Sequence, residues 1–298
     1  MYFIMHKRIL LVGGNGYLGR HLAKKMINEG YEVYITGTSH KSESNYFTVL
    51  FHETDSFKCL LGYQFDVVFI LAARLNSLSS KLIDHPDFLE NTVEYGTFFQ
   101  YLVNNSITNK FVYTSSMTVY STENVLPVEE NGNLMASSTY GLSKQIAEQI
   151  THFACLQNDI SGLVLRLPGI YGGDRKSGYV FNSIKKCLAN EPIEIESKGL
   201  VYWETIWIED LTDIITKLIK VYPWQKKFDI MNISYGQELD FESIPAVVKQ
   251  SIHSESNIVI TGKKGYIPFY LSNQKLKQFI DFKYNWLESL KKYIDNFQ

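Results

Sequence analysis

The stretch ILLVGGNGYLGRHL, residues 9–22, runs a short apolar segment into Gly13, Gly16 and Gly19 and then into helix-like spacing. Gly14, Gly16 and Gly19 also fit the pattern G-x-G-x-x-G. A buried strand that turns at once into a helix needs residues without Cβ at the bend. The same absence lets backbone approach a diphosphate held at the helix N-terminus, where N–H groups and the helix dipole favour an anion. Placed after the first strand of an alternating chain, the stretch predicts a dinucleotide site.

The rest of the chain keeps that alternation. Apolar runs at 7–12 (KRILLV), 31–36 (YEVYIT), 66–73 (DVVFILAA), 110–115 (KFVYTS) and 161–167 (SGLVLRL) read as buried strands. Helix-like spacing occupies 17–29, 86–104 and 140–157. Buried strands separated by helices argue for a parallel sheet covered on both faces. Past about residue 170 the pattern loosens into a strand candidate at 190–195 and helices at 210–222 and 285–297, which predicts an elaborated substrate-binding region. The expected organisation is a dinucleotide-binding domain over 1–170, rejoined by about 205–235, with 171–204 and 236–298 as the substrate-binding region.

Length and charge narrow the class. A chain of 298 residues can bury a large core. With 29 basic against 31 acidic residues, the net charge of -2 gives no basic patch of the nucleic-acid-binding kind. The N-terminal apolar stretch is too short for a signal segment, and no run of about 18 apolar residues follows, so no membrane association and a cytoplasmic location are expected. Cys59, Cys155 and Cys187 are odd in number and lack a C-x-x-C spacing, which reads as reduced thiols with no metal site.

Chemistry concentrates in three places. The strand at 110–115 ends in Ser115 and Ser116, and in a doubly wound sheet ligands gather at the carboxyl ends of strands. Tyr140 and Lys144 open the next helix behind N-cap candidates Ser137, Ser138 and Thr139, and at i and i+4 they share a face. A second Tyr–Lys pair at that spacing, Tyr222/Lys226, contains Pro223 and reads as incidental. Asn91 sits mid-helix, where Asn is unfavourable unless its side chain has a partner.

Together VGGNGYLG, FILAA, Asn91, YTSSMTVY, YGLSK and LRLPGIYGG resemble, in order and spacing, the extended short-chain dehydrogenase/reductase family. More narrowly they are similar to its NAD(P)-dependent epimerase/dehydratase branch, which modifies nucleotide-linked sugars. The likeness runs from about residue 7 to 210, and LSNQKLKQFIDFKYNW is similar to that branch's closing segment. The resemblance implies a Rossmann-type doubly wound parallel sheet with a smaller C-terminal α/β substrate-binding region. It implies cofactor contacts from Gly13, Asn15, Gly16, Tyr17, Leu18, Gly19, Leu71, Ala72, Ala73, Tyr140, Lys144 and Pro168. Ser116 would orient the substrate oxygen, with Thr118 also at the substrate, Tyr140 would carry its proton, and Lys144 would hold the nicotinamide ribose. Asn91 would hold a water linking Lys144 to solvent.

A Tyr needs help to act as a base, because its ordinary pKa is about 10. A Lys ammonium about 6 Å away contributes about 2.8 kcal/mol at an effective dielectric of about 20, a downward pull of about two pKa units.

Departures from the family pattern shape the expected reaction. Met117 and Thr118 stand where dehydratases carry an acid–base carboxylate pair, which argues against dehydration. Gly169 stands where many relatives have Asn, and Trp203 where many have an Arg gripping the diphosphate. Arg175 and Lys176, with Arg74 behind them, are then the cations left to meet a diphosphate. At the end of the second strand Gly37 occupies the position of an NAD-selective carboxylate, and Thr38 and Lys41 follow, which tilts the expectation towards NADP(H). Three readings stand: a nucleotide-sugar epimerase, an NADPH-dependent keto-sugar reductase, and a catalytically silent cofactor-sensing regulator, which usually lacks the Tyr/Lys pair. By resemblance, the helices at about 86–104 and 140–157 would pair in a homodimer, offering Phe88, Phe98, Phe99, Phe153 and Leu156.

Overall fold

The computed structural model describes residues 7–74, 86–196, 201–239, 242–261 and 267–297. The chain divides into two compact units. One comprises Met1–Ser121, Gly132–Leu167 and Thr216–Met231; the other comprises Thr122–Asn131, Pro168–Ile215 and Asn232–Gln298.

In the first unit β1 (Arg8–Val12) turns through the glycines into α1 (Tyr17–Asn28), followed by β2 (Glu32–Gly37), β3 (Tyr46–Thr48) and β4 (Val67–Ile70). α2 (Pro86–Leu89), a π turn (Glu90–Glu94) and α3 (Tyr95–Asn104) form a single helical run back to β5 (Lys110–Ser116). A 3-10 turn (Met117–Val119) closes β5, and α4 (Thr139–Gln157) leads to β6 (Ser161–Leu167). The second unit carries β7 (Gly169–Tyr171), α5 (Tyr179–Leu188), β8 (Ile193–Glu196), β9 (Val201–Trp203) and β10 (Thr205–Trp207). After α6 (Ile208–Val221) and β11 (Phe228–Asn232) come α7 (Ser243–Ser251), β12 (Ile258–Thr261), β13 (Ile267–Phe269) and α8 (Trp286–Asp295).

The main sheet has the order β11-β6-β5-β4-β1-β2-β3. β1 pairs in parallel with both β2 and β4, so the chain reverses its direction of winding at β1. The glycine turn follows β1 and therefore sits at the switch point, where α/β sheets bind ligands. Both faces of the sheet are covered: Ile9 through Val12 and Val68 through Ile70 are fully buried, which is why these strands read as continuous apolar runs. α4 starts where Ser138 Oγ accepts the Gly141 N–H at 3.0 Å, an N-cap that fixes the register of Tyr140 and Lys144.

Several expectations are corrected. Residues 205–215 belong to the second unit, because β10 pairs with β7 and not with the main sheet, and Thr122–Asn131 also belongs there. Phe98 and Phe99 do not face outward: they are 0% and 1% exposed and meet Phe57 and Phe111 edge to face, ring centres 4.9 and 4.6 Å apart. Phe153 and Leu156 are exposed, at 65% and 56%. Beside α3, Val93, Gly96, Thr97, Tyr101 and Ile150 line an open groove of about 600 Å³. Among the described residues no helix is long and apolar enough to cross a membrane.

Candidate active site

The glycine turn is built as a cradle. Gly13 takes φ +80°, and a Cβ there would lie 2.7 Å from the Ala72 nitrogen, so the turn packs directly on the backbone after β4. Leu71 and Ala72 donate their N–H groups to Val12 O at 2.9 and 3.0 Å, which places 71–73 beside the turn. Gly19 packs against Gly14. A Cβ on Gly16 would meet nothing nearer than Gly13 O at 3.1 Å. α1 then begins at Tyr17 with no side-chain cap on its N-cap Gly16 and no acid in its first turn. A backbone open at Gly16 and a positive helix end left without a carboxylate suit the diphosphate of a dinucleotide.

The end of β2 packs as closely. β2 ends at Gly37, where a Cβ would lie 2.2 Å from the Tyr46 hydroxyl, itself bonded to Ser39 O at 2.7 Å. Tyr46 thus takes the room a carboxylate would need. Lys41 Nζ donates to Asn15 Oδ1 at 3.3 Å, which brings Lys41 to the glycine turn, while Thr38 is exposed. Glu43 lies 4.0 Å from Lys41, at the limit of an ion pair.

The end of β5 and the start of α4 carry the candidate catalytic residues. Ser115 is buried, and its Oγ has no hydrogen-bond partner among the described residues. Ser116, on the opposite face of the strand, is half-buried and accepts from Thr118 N at 3.2 Å and Thr118 Oγ1 at 2.9 Å. A Cβ on Gly141 would lie 2.4 Å from Thr118 O, so the first turn of α4 lies against the turn after Ser116. That contact packs the residue after Tyr140 on the turn that Ser116 caps. Lys144, 2% exposed, donates to Thr114 O at 2.7 Å and lies 4.7 Å above the Tyr113 ring and 5.8 Å from the Tyr140 ring.

Electrostatics in the protein alone run opposite to the sequence expectation. Burial pushes the Tyr140 phenol up to about 12 and the Lys144 ammonium down to about 7, the latter against an upward pull from Glu148. Removing the charged forms from water outweighs the Tyr–Lys attraction. In the protein alone, burial therefore favours the neutral phenol at Tyr140.

Asn91 sits in the π turn, a helix irregularity frequent at functional sites. Its Nδ2 donates to Arg74 O at 2.9 Å and Ser143 Oγ at 3.3 Å, while its Oδ1 accepts from Arg74 N at 2.9 Å. Ser143 in turn donates to Tyr140 O at 2.8 Å. Asn91 thus ties the segment after β4 to the first turn of α4, and both its amide protons are used. Arg74 is no free cation, since its Nε lies 2.6 Å from Glu90 Oε2.

In the second unit, Trp203 packs tilted against Phe269, ring centres 4.7 Å apart, and brings no charge. Gly169 is exposed and Pro168 buried. Arg175 donates to Ile170 O at 2.9 Å and lies 3.4 Å from Ser177 Oγ, so it is engaged within its own loop, while Lys176 is exposed.

Sequence reading missed the pair beneath Lys144. Arg166 donates to Glu148 through Nε at 3.0 Å and Nη2 at 2.7 Å, both side chains 1% exposed, and its guanidinium lies 4.6 Å from the Tyr120 ring. The signals were an Arg inside the apolar run SGLVLRL and a Glu one further helical turn past Lys144.

The glycine turn at the switch point and the Tyr140–Lys144 pair on α4, after Ser116 at the end of β5, are the pattern of an enzyme of the extended short-chain dehydrogenase/reductase type. Residues 9–234 match the NAD dependent epimerase/dehydratase family, and the chain belongs to it. It is 26% identical over 260 residues to a putative UDP-glucose 4-epimerase of Methanocaldococcus jannaschii, covering 82% of each chain. It is 25% identical over 286 residues to the UDP-N-acetyl-alpha-D-glucosaminuronate decarboxylase of Bacillus cytotoxicus, covering 89% of this chain and 84% of that one. It shares its fold with the UDP-N-acetylglucosamine 4-epimerase from Bacillus cereus, at a TM-score of 0.81 and 22% identity over 97% of this chain and 96% of that one.

Proposed function

We propose that this enzyme is a cytoplasmic nucleotide-sugar epimerase that inverts a carbinol carbon, by likeness to its relatives C4, without net consumption of cofactor. The observation that supports the reading is Lys144 bonded to Thr114 O of β5, two residues before Ser116, and 5.8 Å from the Tyr140 ring, with Met117 and Thr118 where an elimination would need carboxylates. Gly13, Asn15, Gly16, Tyr17, Leu18, Gly19 and 71–73 would hold the dinucleotide. When bound, the oxidised nicotinamide cofactor supplies a hydride acceptor and a positively charged ring. Ser116 orients the sugar hydroxyl and Tyr140 Oη takes its proton, then returns it. Lys144 keeps two N–H donors beyond its bond to Thr114 O, which suit the ribose. Arg175 and Lys176 are the candidates for the diphosphate, and Asn91 would act by holding the segment after β4 and the start of α4 in register. The reading is tested by turnover of UDP-glucose and UDP-N-acetylglucosamine, followed by NMR of the sugar ring.

On the ribose side, Lys41 at the glycine turn and the missing carboxylate at Gly37 support NADP(H) over NAD(H). Lys41→Ala is expected to weaken NADP binding about tenfold, the worth of one charge-assisted phosphate contact, and to leave NAD unchanged by calorimetry. Tighter binding of NAD than NADP to the unaltered protein would reject this preference. Lys41 also favours a second reading, a keto-sugar reductase, which would oxidise NADPH stoichiometrically.

The exposed Phe153, Leu156 and Val93, on helices that pair in relatives, support a homodimer. Light scattering at micromolar concentration should give twice the 34.4 kDa chain mass, and Val93→Glu with Phe153→Glu should reduce it to one. A monomeric unaltered protein would end the dimer proposal.

A further inference from the structure

We propose that Thr118 is a positioning residue whose hydroxyl, by donating to Ser116 Oγ, leaves the Ser116 proton free to be given only to the substrate oxygen. The inference rests on the epimerase reading and assigns Thr118 a different task from direct substrate contact.

A serine hydroxyl has one proton to give and two lone pairs that accept. Ser116 Oγ receives the Thr118 N–H at 3.2 Å and the Thr118 hydroxyl at 2.9 Å. Both acceptor positions are then filled from one residue. The N–H bond alone caps the 3-10 turn, so the hydroxyl bond is not needed to form it. What the hydroxyl adds is polarity: with it in place Ser116 is a donor, and without it Ser116 can rotate its own proton or accept from the substrate. A donor is what an alcohol oxygen needs as it loses its proton to Tyr140 and charge builds on it. The turn packs directly on α4, because Thr118 O lies where the Cβ of any residue at 141 other than glycine would sit. The relay and the helix bearing Tyr140 are therefore one packed assembly.

Two measurements test the proposal, and only one needs turnover. Neutron diffraction from the deuterated protein should place the Thr118 hydroxyl deuteron on the line to Ser116 Oγ and the Ser116 deuteron away from Thr118. A Ser116 deuteron pointing at Thr118 Oγ1 would overturn the proposal whatever the substrate proves to be. With UDP-glucose as the probe, Thr118→Val should lower kcat about tenfold with KM within about twofold, short of the roughly hundredfold or more for losing a donor outright. Thr118→Ser should restore the rate, and thermal midpoints verify folding of each variant. In a Ser116→Ala background Thr118→Val should cost nothing more. Additive losses, or a KM effect that persists there, would mean that Thr118 touches the sugar itself and would reject the relay. Absence of turnover by the unaltered protein would instead count against the epimerase reading, with the neutron result still deciding this one.

Discussion

Tyr140→Phe is expected to lower kcat by about a thousandfold while leaving cofactor affinity within about twofold, in line with the range for loss of an acid–base group. The ring that packs near Lys144 at 5.8 Å stays; only the hydroxyl that carries the proton leaves. The sign of the pH dependence follows from the direction of the shifts. Burial holds the phenol up to about 12 in the protein alone, so at neutral pH it is protonated and the rate of the oxidising half should rise with pH. A charge brought into the site with the cofactor shortens that climb. The Phe variant should lose the rise along with the rate, which distinguishes removal of the base from a local packing defect. Wild-type turnover by the Phe variant would show that Tyr140 is not the proton carrier.

Arg166→Met is expected to destabilise the fold by about 3–5 kcal/mol, because it leaves the Glu148 carboxylate buried without its bidentate partner. Urea denaturation of the apo-protein measures it. Replacing both members, Glu148→Leu with Arg166→Met, should recover most of the loss, since apolar residues of similar volume remove the desolvation cost as well as the attraction. The double variant should favour the neutral form of Lys144 further, because Glu148 is the group that raises its pKa. Equal instability of the single and double variants would mean that shape, not charge, is what the pair contributes.

How much of this was legible beforehand depended on whether local sequence carries the determining physics. The glycine turn and the Tyr140/Lys144 face were readable, because backbone sterics and helical period are local properties. β7, β9, β10 and β13 were not: each spans three residues, too few for any period to show. Phe98 and Phe99 looked like interface residues because a helix lying on a sheet can show apolar residues on more than one face. The order of the Tyr140 and Lys144 pKa values was missed because burial is set by what packs above them, chiefly β5 and Tyr113. Arg74 looked like a spare cation until its partner Glu90, sixteen positions away, came beside it. Asn91 stood out as a misfit in a helix, but only the fold shows that it bonds both backbone groups of Arg74.

Proton NMR of UDP-glucose and, separately, UDP-N-acetylglucosamine incubated with the protein and oxidised cofactor tests the epimerase reading most directly. The expected result is growth of the C4-inverted sugar to an equilibrium mixture, with no net change in absorbance at the reduced-nicotinamide band and no growth with Tyr140→Phe. Stoichiometric appearance or loss of reduced cofactor with product, or unchanged sugars in the presence of bound cofactor, would contradict it.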